Sequence, residues 1–294
     1  MEIAIVDFFM SLKNSVLDIL FSFTNFLGTE GFVYFVFMII YWIVGKERAF
    51  RFGSIYLISV AINTIFKNSF RRIRPHNSQG HGYSFPSGHS QGYSATAALI
   101  YLEAKRNNFP KEKRWKVEFI LELIIAGVLV GIGRMYFGMH YLSDVVAGII
   151  LGIAVVSACD LIFNAISEKW NIKTYKIILV SLPVMLALYF VFTFTSLIEF
   201  RAIYKLYSVL GFAFGASLGY ILDHFKIKAP IEGDFANKLK KASLGTFILG
   251  FVYFIIKNEI QNIYFVPLAY LIFGFVSVAV MPNILNKTFA YKEK

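Results

Sequence analysis

Three short polar clusters in this chain carry residues whose types and spacing could do phosphate chemistry. The first is KNSFRRIRP, where Lys67 and Arg74 stand seven residues apart. They would share a face if the helix carrying Lys67 ran on to Ile73. A guanidinium grips an anion through paired donors, and an ammonium adds a compact charge. The second is PSGH, Pro86–His89, directly before a run of small and apolar residues. Ser87 stands where a helix N-cap belongs, so the N–H groups of Gly88 and His89 form an anion-binding helix end that Gly88 leaves open to close approach. The third is GRMYFGMHYLSD, with Arg134, His140 and Asp144. The last two are one helical turn apart, so the carboxylate can accept one imidazole N–H and leave the other nitrogen nucleophilic. His89 opposite it could protonate a leaving oxygen, and Arg134 could clamp charge developing on a phosphoryl group.

These clusters resemble the three-part signature of the type 2 phosphatidic acid phosphatase superfamily, K-x6-RP, PSGH and SR-x5-H-x3-D, in order and internal spacing. PSGH alone would arise by chance in on the order of one in several hundred chains of this length, and the joint match is far rarer. The resemblance covers roughly Gly31–Cys159, and it implies a phosphohistidine mechanism without cofactor or metal. His140 is then the nucleophile, Asp144 its orienting partner and His89 the acid and base. Lys67, Arg74, Ser87, Gly88 and Arg134 hold the phosphoryl oxygens. One position departs: Gly133 stands where the signature has serine, which removes a hydroxyl contact.

The elements that must position these residues are membrane helices. The 294-residue chain is 57% hydrophobic and only 16% charged, with a mean hydropathy of +0.62, which leaves too little polar surface for a soluble domain of this size. Charge-free runs occupy Gly31–Gly45, Phe52–Phe66, Ser87–Leu102, Leu123–Gly133, Val145–Cys159, Ile177–Ile198, Leu206–Leu222, Ala242–Ile256 and Ile260–Asn286. Several are shorter than the ~20 residues that cross hydrocarbon, so their polar flanks must extend the helices. The expected fold is therefore an all-α polytopic bundle of about nine transmembrane helices. An N-terminal segment, residues 1–29, mixes Asp7, Lys13, Asn14 and Asp18 with strong hydrophobes, and reads as an amphipathic interfacial helix or one additional span. It has no cationic leader or small-residue cleavage site, so no signal peptide is expected.

Charge placement orients the bundle. Of the 29 Lys and Arg, 20 fall in alternate loops and the C-terminal tail, the side that the positive-inside rule makes cytoplasmic. The net charge of +11 is then a topological signature and not a nucleic-acid surface. All three polar clusters fall on the opposite face, where Lys67, Arg71, Arg72, Arg74 and Arg134 break the bias and call for an anionic ligand. Arg71 and Arg72 could read a second anionic group or snorkel to lipid head groups. Asn63, one turn before Lys67, could bond backbone or support the site. Cys159, the single cysteine, reads as a packing residue, and His76, His81 and His224 as structural.

The expected organisation is an N-terminal helix at 1–29, a catalytic core at 30–165 and a four-helix membrane extension at 166–294. The outer loop His76–Phe85 is too short for a capping domain, so a lipid can enter laterally while its phosphate meets water. The expected function is hydrolysis of a lipid phosphate or diphosphate (phosphatidate, phosphatidylglycerophosphate or a polyprenyl carrier such as undecaprenyl diphosphate) at the outer face of a bacterial cytoplasmic membrane, with the C-terminus cytoplasmic. Alternatives are a soluble sugar phosphate, as in glucose-6-phosphatase of the same superfamily, or phosphotransfer to a lipid alcohol. A transporter role for the last four spans is disfavoured by the lack of mid-span charge.

Overall fold

The structure, a computed structural model, describes residues 1–76, 78, 80, 82–170, 181–183, 200–231, 234–260 and 262–288. Among these, every regular element is a helix: α1 Glu2–Ser11, α2 Ser15–Phe26, α3 Glu30–Ile39, α4 Lys46–Phe70, α5 Gly88–Arg106, α6 Lys113–Tyr136, α7 Leu142–Trp170, α8 Phe200–Leu222, α9 Phe235–Glu259, α10 Val266–Phe275 and α11 Met281–Thr288. Five stretches are long and apolar enough to cross a membrane: Lys46–Phe70, Leu142–Ala165, Tyr204–Ile227, Ala236–Glu259 and Val266–Thr288. The pair Ser15–Phe26 and Glu30–Val44 qualifies together, bent by 55°. Helices also cover Gly88–Leu102 and Leu123–Gly133, where the polar residues of the clusters and of the α6 entry dilute the hydropathy. The expected span Ile177–Ile198 lies outside the described residues except for 181–183, so the number nine rests on the sequence.

The first 29 residues fold as two short helices instead of one. Asn14 breaks them, its Oδ1 accepting the N–H groups of Val16 (3.1 Å) and Leu17 (3.0 Å) as the N-cap of α2. Neither α1, at 10 residues, nor α2, at 12, can span alone.

The chain divides into two compact units, the first comprising Met1–Val33 and Ser54–Ala165. In this unit α5 and α7 are fastened along their length. At one end Ser87 N–H donates to the Asp144 carbonyl (2.9 Å). At the other, Arg106 pairs with Asp160. Between them the backbones approach so closely that a Cβ on Gly148 would lie 2.6 Å from Ser87 O, and one on Gly152 would lie 2.7 Å from Gln91 O. Small residues at a crossing let membrane helices gain dispersion energy that lipid exclusion does not supply. Cys159, on α7, is buried.

Polar side chains join α4 to α5 by satisfying one another, as groups inside a bilayer must. Gln91 Nε2 donates to Ser59 O (2.8 Å) and Ser59 Oγ (3.0 Å), while its Oε1 accepts from Asn63 Nδ2 (2.7 Å). Asn63 also reaches Pro86 O (3.5 Å), so it supports both backbone and cluster.

The second unit comprises Tyr34–Gly53 and Ile166–Lys294. Its core stacks Tyr34 on Phe212 (4.2 Å between centroids), with Tyr253, Tyr270 and Phe273 around them. Three wide π-helical turns, Ile40–Val44, Asp223–Ile227 and Val276–Val280, extend α3, α8 and α10. They are joined by polar bonds: Tyr41 Oη donates to buried Asp223 (3.0 Å), which also pairs with Lys46, and Trp42 Nε1 donates to Ser277 O (3.0 Å).

Candidate active site

All eight residues singled out by the motifs lie in the first unit. Helix α4 does not reach Ile73, however. It stops at Phe70, Arg71 takes a left-handed φ of 47°, and Arg74 precedes a proline, which disfavours helical backbone. Lys67 and Arg74 therefore share no helical face. The loop closes them on a common segment instead: Lys67 Nζ donates to Tyr83 O (2.8 Å) and Ser84 O (3.2 Å), and Arg74 Nε donates to Gly82 O (2.9 Å).

Ser87 is the N-cap of α5, fully buried, its Oγ accepting from Ser90 N (3.4 Å) and Ser90 Oγ (3.0 Å). Gly88 opens the helix against Asn63 and Lys67. A Cβ there would lie 3.3 Å from Asn63 Oδ1 and 4.0 Å from Lys67 Cε. Behind His89 the α2–α3 turn fits closely, since a Cβ on Gly28 would come within 2.8 Å of His89 O.

Helix α6 ends at Tyr136, and Gly138, at φ 66°, reverses the chain so that Met139 N–H returns to Arg134 O (2.9 Å). That turn delivers His140 beside Arg134. Tyr136 anchors it by donating to Asp18 Oδ1 (2.8 Å) and accepting from Asn14 N (3.1 Å). His140 precedes α7 while Asp144 sits in its first turn, so the pair meets across the helix start, with Nδ1 3.5 Å from Asp144 Oδ2. Both are buried, at 2% and 0% exposure. Nδ1 makes no formed hydrogen bond among the described residues, and catalytic hydrogen bonds of this kind tighten on substrate binding.

Arg74 decides the imidazole's tautomer. Its Nη1 lies 3.2 Å from His140 Nε2 and 2.7 Å from Met139 O. A guanidinium only donates, so Nε2 carries the lone pair and Nδ1 the proton, facing Asp144. Burial, reinforced by Arg134, Lys67, Arg74 and His89, pushes His140 well below its usual value near 6.5. The ring is thus a neutral base with its lone pair among cations. Arg134 is itself 8% exposed, with Nη1 on Asn25 Oδ1 (3.4 Å) and Nε without a hydrogen-bond partner among the described residues. A buried guanidinium donor left in this state calls for an anion.

This arrangement fixes a sign for pH. The unfolded chain takes up a proton at His140 near pH 6.5, whereas the folded chain resists it to lower pH. The unfolded state then binds more protons below 6.5, so this residue's stability contribution is complete above that value and is lost as pH falls. In phosphate-free detergent solution, Tm is expected to fall from pH 6.5 to 5 and to fall less in His140→Asn. Equal slopes would contradict the buried neutral imidazole.

Several residues went unmarked by the motifs. Arg72 is engaged within the protein: its Nη1 donates to Asp144 Oδ1 (2.8 Å) and its Nη2 pairs with Glu2 Oε2 (2.5 Å). The doubled arginine in KNSFRRIRP was the available signal, but Glu2 lies 70 positions away and gave none. At Gly133 the missing side chain admits α2, because a Cβ would lie 3.3 Å from Phe21 and 3.4 Å from Asn25 Oδ1. His76 pairs with Asp7 (3.6 Å), His224 stacks on Tyr220, and His81 lies outside the described residues.

A family model described as PAP2 superfamily matches residues 48–168. A second, described as PAP2 superfamily phosphatase, transmembrane extension, matches 207–293, well beyond the stretch that the motifs cover. Phosphatidylglycerophosphatase B of Bacillus subtilis is 37% identical over 99 residues, 31% of this chain and 46% of that protein. Lipid A 4'-phosphatase of Porphyromonas gingivalis is 29% identical over 154 residues, 46% of this chain and 61% of that protein. The chain thus spans about half the length of the curated relatives it matches. A crystal structure of a transmembrane PAP2 type phosphatidylglycerolphosphate phosphatase from Bacillus subtilis is similar at 22% identity, with 56% of this chain and 85% of that one covered and a TM-score of 0.49.

Proposed function

Because the chain belongs to the PAP2 superfamily, we propose that it is an integral-membrane phosphatase that hydrolyses lipid phosphates or diphosphates at the extracytoplasmic face, through a phosphohistidine and without a metal. The observation that carries this reading is His140, whose lone pair at Nε2 is held beside Arg74 in a buried site ringed by Lys67, Arg134 and His89. Relatives named for a phosphatidylglycerophosphate and for lipid A support a lipid phosphate as the substrate class.

The reaction proceeds in two displacements. A phosphoryl group displaces the Arg74 contact, and its oxygens take donors from Arg74, Arg134, Lys67 and the start of α5. His140 Nε2 attacks phosphorus, an N–P bond forms, and the P–O bond to the lipid breaks as His89 gives its proton to the departing oxygen. Asp144 stabilises the Nδ1 proton as the ring becomes charged. Water then attacks phosphorus, His89 takes its proton, the N–P bond breaks and inorganic phosphate leaves. The polar clusters lie on the outer face, and the C-terminus is cytoplasmic.

The test is phosphate release by the full-length protein in detergent, with phosphatidate, phosphatidylglycerophosphate, undecaprenyl diphosphate and glucose 6-phosphate, each with and without chelator. Release from at least one lipid, undiminished by chelator and not inhibited by glucose 6-phosphate, is the expected result. Silence on every lipid, or loss of activity in chelator, would overturn the proposal.

A further inference from the structure

We propose that Glu2 and Arg72 are positioning residues of the active site, the Glu2 carboxylate of α1 holding the Arg72 guanidinium that fixes Asp144 opposite His140. The inference rests on the proposed phosphatase reading. Glu2 lies 46 residues before the start of the matched PAP2 region, so it extends the site into a part of the chain that the family model does not cover.

The geometry is a chain of charge-assisted bonds with its anchor at the N-terminus. Asp144 is fully buried, and an ionised carboxylate there needs a partner in place. Arg72 supplies one to Oδ1 at 2.8 Å, while Oδ2 accepts the Tyr141 N–H (2.9 Å) and faces His140 Nδ1. With Arg72 on one oxygen, Tyr141 N–H on the other and the Ser84 hydroxyl also bonded to it, the carboxylate is held facing the imidazole. Arg72 is fixed in turn from three directions: it lies over the Tyr141 ring (4.1 Å to the centroid), its Nη1 reaches Ser143 Oγ (2.5 Å), and its Nη2 pairs with Glu2 Oε2 (2.5 Å). The second oxygen of Glu2 accepts the Ser143 N–H (3.1 Å) at the start of α7. One carboxylate thus clamps both the guanidinium and the helix end that carries Asp144. Hydrogen bonding to Ser143, with Arg72 beside it, keeps the Glu2 carboxyl below its ordinary range, so it is ionised across neutral pH.

Arg72 and Glu2 are 30% and 35% exposed, and a pair so open to solvent adds little stability by itself. Its consequence lies in geometry. Without Glu2 the guanidinium keeps Tyr141, Ser143 and Asp144 but loses the partner that holds Nη2, and without Arg72 the buried Asp144 loses the charged donor on Oδ1 and orients the nucleophile less well. Both changes act in the chemical step and leave the phosphate clamp intact.

The experiment compares steady-state kinetics of the full-length wild type, Glu2→Gln, Arg72→Gln, the double variant and Asp7→Asn, on whichever lipid the wild type hydrolyses. Glu2→Gln is expected to lower kcat about tenfold and Arg72→Gln about a hundredfold, the range seen for residues that orient a ligand or catalytic group from behind. KM should stay unchanged, and Arg72→Lys should restore part of the rate. Because both act through one carboxylate, the double variant should be no slower than Arg72→Gln. Asp7→Asn removes a neighbouring carboxylate of α1 that pairs only with His76 among the described residues, and should leave kcat at the wild-type level. Wild-type kcat in Glu2→Gln would overturn the inference, as would effects that multiply in the double variant or an equal loss in Asp7→Asn. Should Arg72→Gln fail to fold, the contrast of Glu2→Gln with Asp7→Asn still decides. A wild type silent on every lipid refutes the phosphatase reading instead, which is a different result from an active wild type indifferent to Glu2.

Discussion

Replacing His140 by alanine is expected to lower lipid phosphate hydrolysis by about a thousandfold or more, with KM changed far less than kcat. In the proposed mechanism the residue supplies the atom that bonds to phosphorus, and among its described neighbours Arg74 and Lys67 only donate while Asp144 is held on the Nδ1 side. Truncation leaves a cavity next to an intact set of cations, so phosphate should still bind. That cavity also offers a positive control, because added imidazole can enter it and recover part of the rate as an external nucleophile. Wild-type turnover in His140→Ala would remove the residue from the nucleophilic role. A large rise in KM with little loss of kcat would make it a binding group.

The cations around this imidazole repel one another, and the protein must balance them. Backbone carbonyls do so. Lys67 is held by Tyr83 and Ser84, and Arg74 by Gly82 and Met139. Such contacts are neutral and directional, so they preorganise the donors without cancelling the charge that a phosphate would meet. Ser84 secures the same loop from behind, with its N–H on Arg72 O (2.8 Å). The loop of residues 82–84 is consequently part of the site through its backbone and through the Ser84 hydroxyl, which hydrogen-bonds Asp144.

How much of this could be read from the sequence differs by physical cause. The longer helices were legible because the bilayer imposes charge-free runs, and the breaks near Lys46 and Lys113 coincide with the cation clusters that mark them. Ser87 as an N-cap was legible because capping is local, set by one side chain and the residues just after it. The condition on which Lys67 and Arg74 would share a helical face fails at Arg71, where the backbone turns left-handed for reasons the local sequence does not show. The π-helical turns at Ile40–Val44, Asp223–Ile227 and Val276–Val280 left no local mark, since tertiary bonds such as Tyr41 to Asp223 stabilise them. Glu2 and Asn25 were invisible for the same reason. Each gains its role from a partner more than 60 residues away, and no periodicity reports on such pairs.

His89→Ala is expected to produce a loss whose size depends on the leaving group, and that dependence identifies its role. His89 is the second residue of α5, its backbone packed on Gly28 and its ring near enough to His140 to lower that residue's basicity. In the proposed mechanism it protonates the oxygen departing on the side of phosphorus opposite His140. A lipid alkoxide leaves poorly unless it is protonated, so hydrolysis of a lipid phosphate monoester should fall by about 10²–10⁴-fold. A p-nitrophenolate leaves without a proton. With p-nitrophenyl phosphate the variant should therefore release one equivalent of nitrophenolate rapidly, and then stall, because the second step needs His89 to deprotonate water. Stopped-flow absorbance against enzyme concentration measures that burst. A burst close to one per active site, followed by slow turnover, is the signature of an acid and base acting on a phosphohistidine. Equal losses for alkyl and aryl substrates with no burst would mean that His89 only helps hold the phosphate, and the proton would have to come from elsewhere.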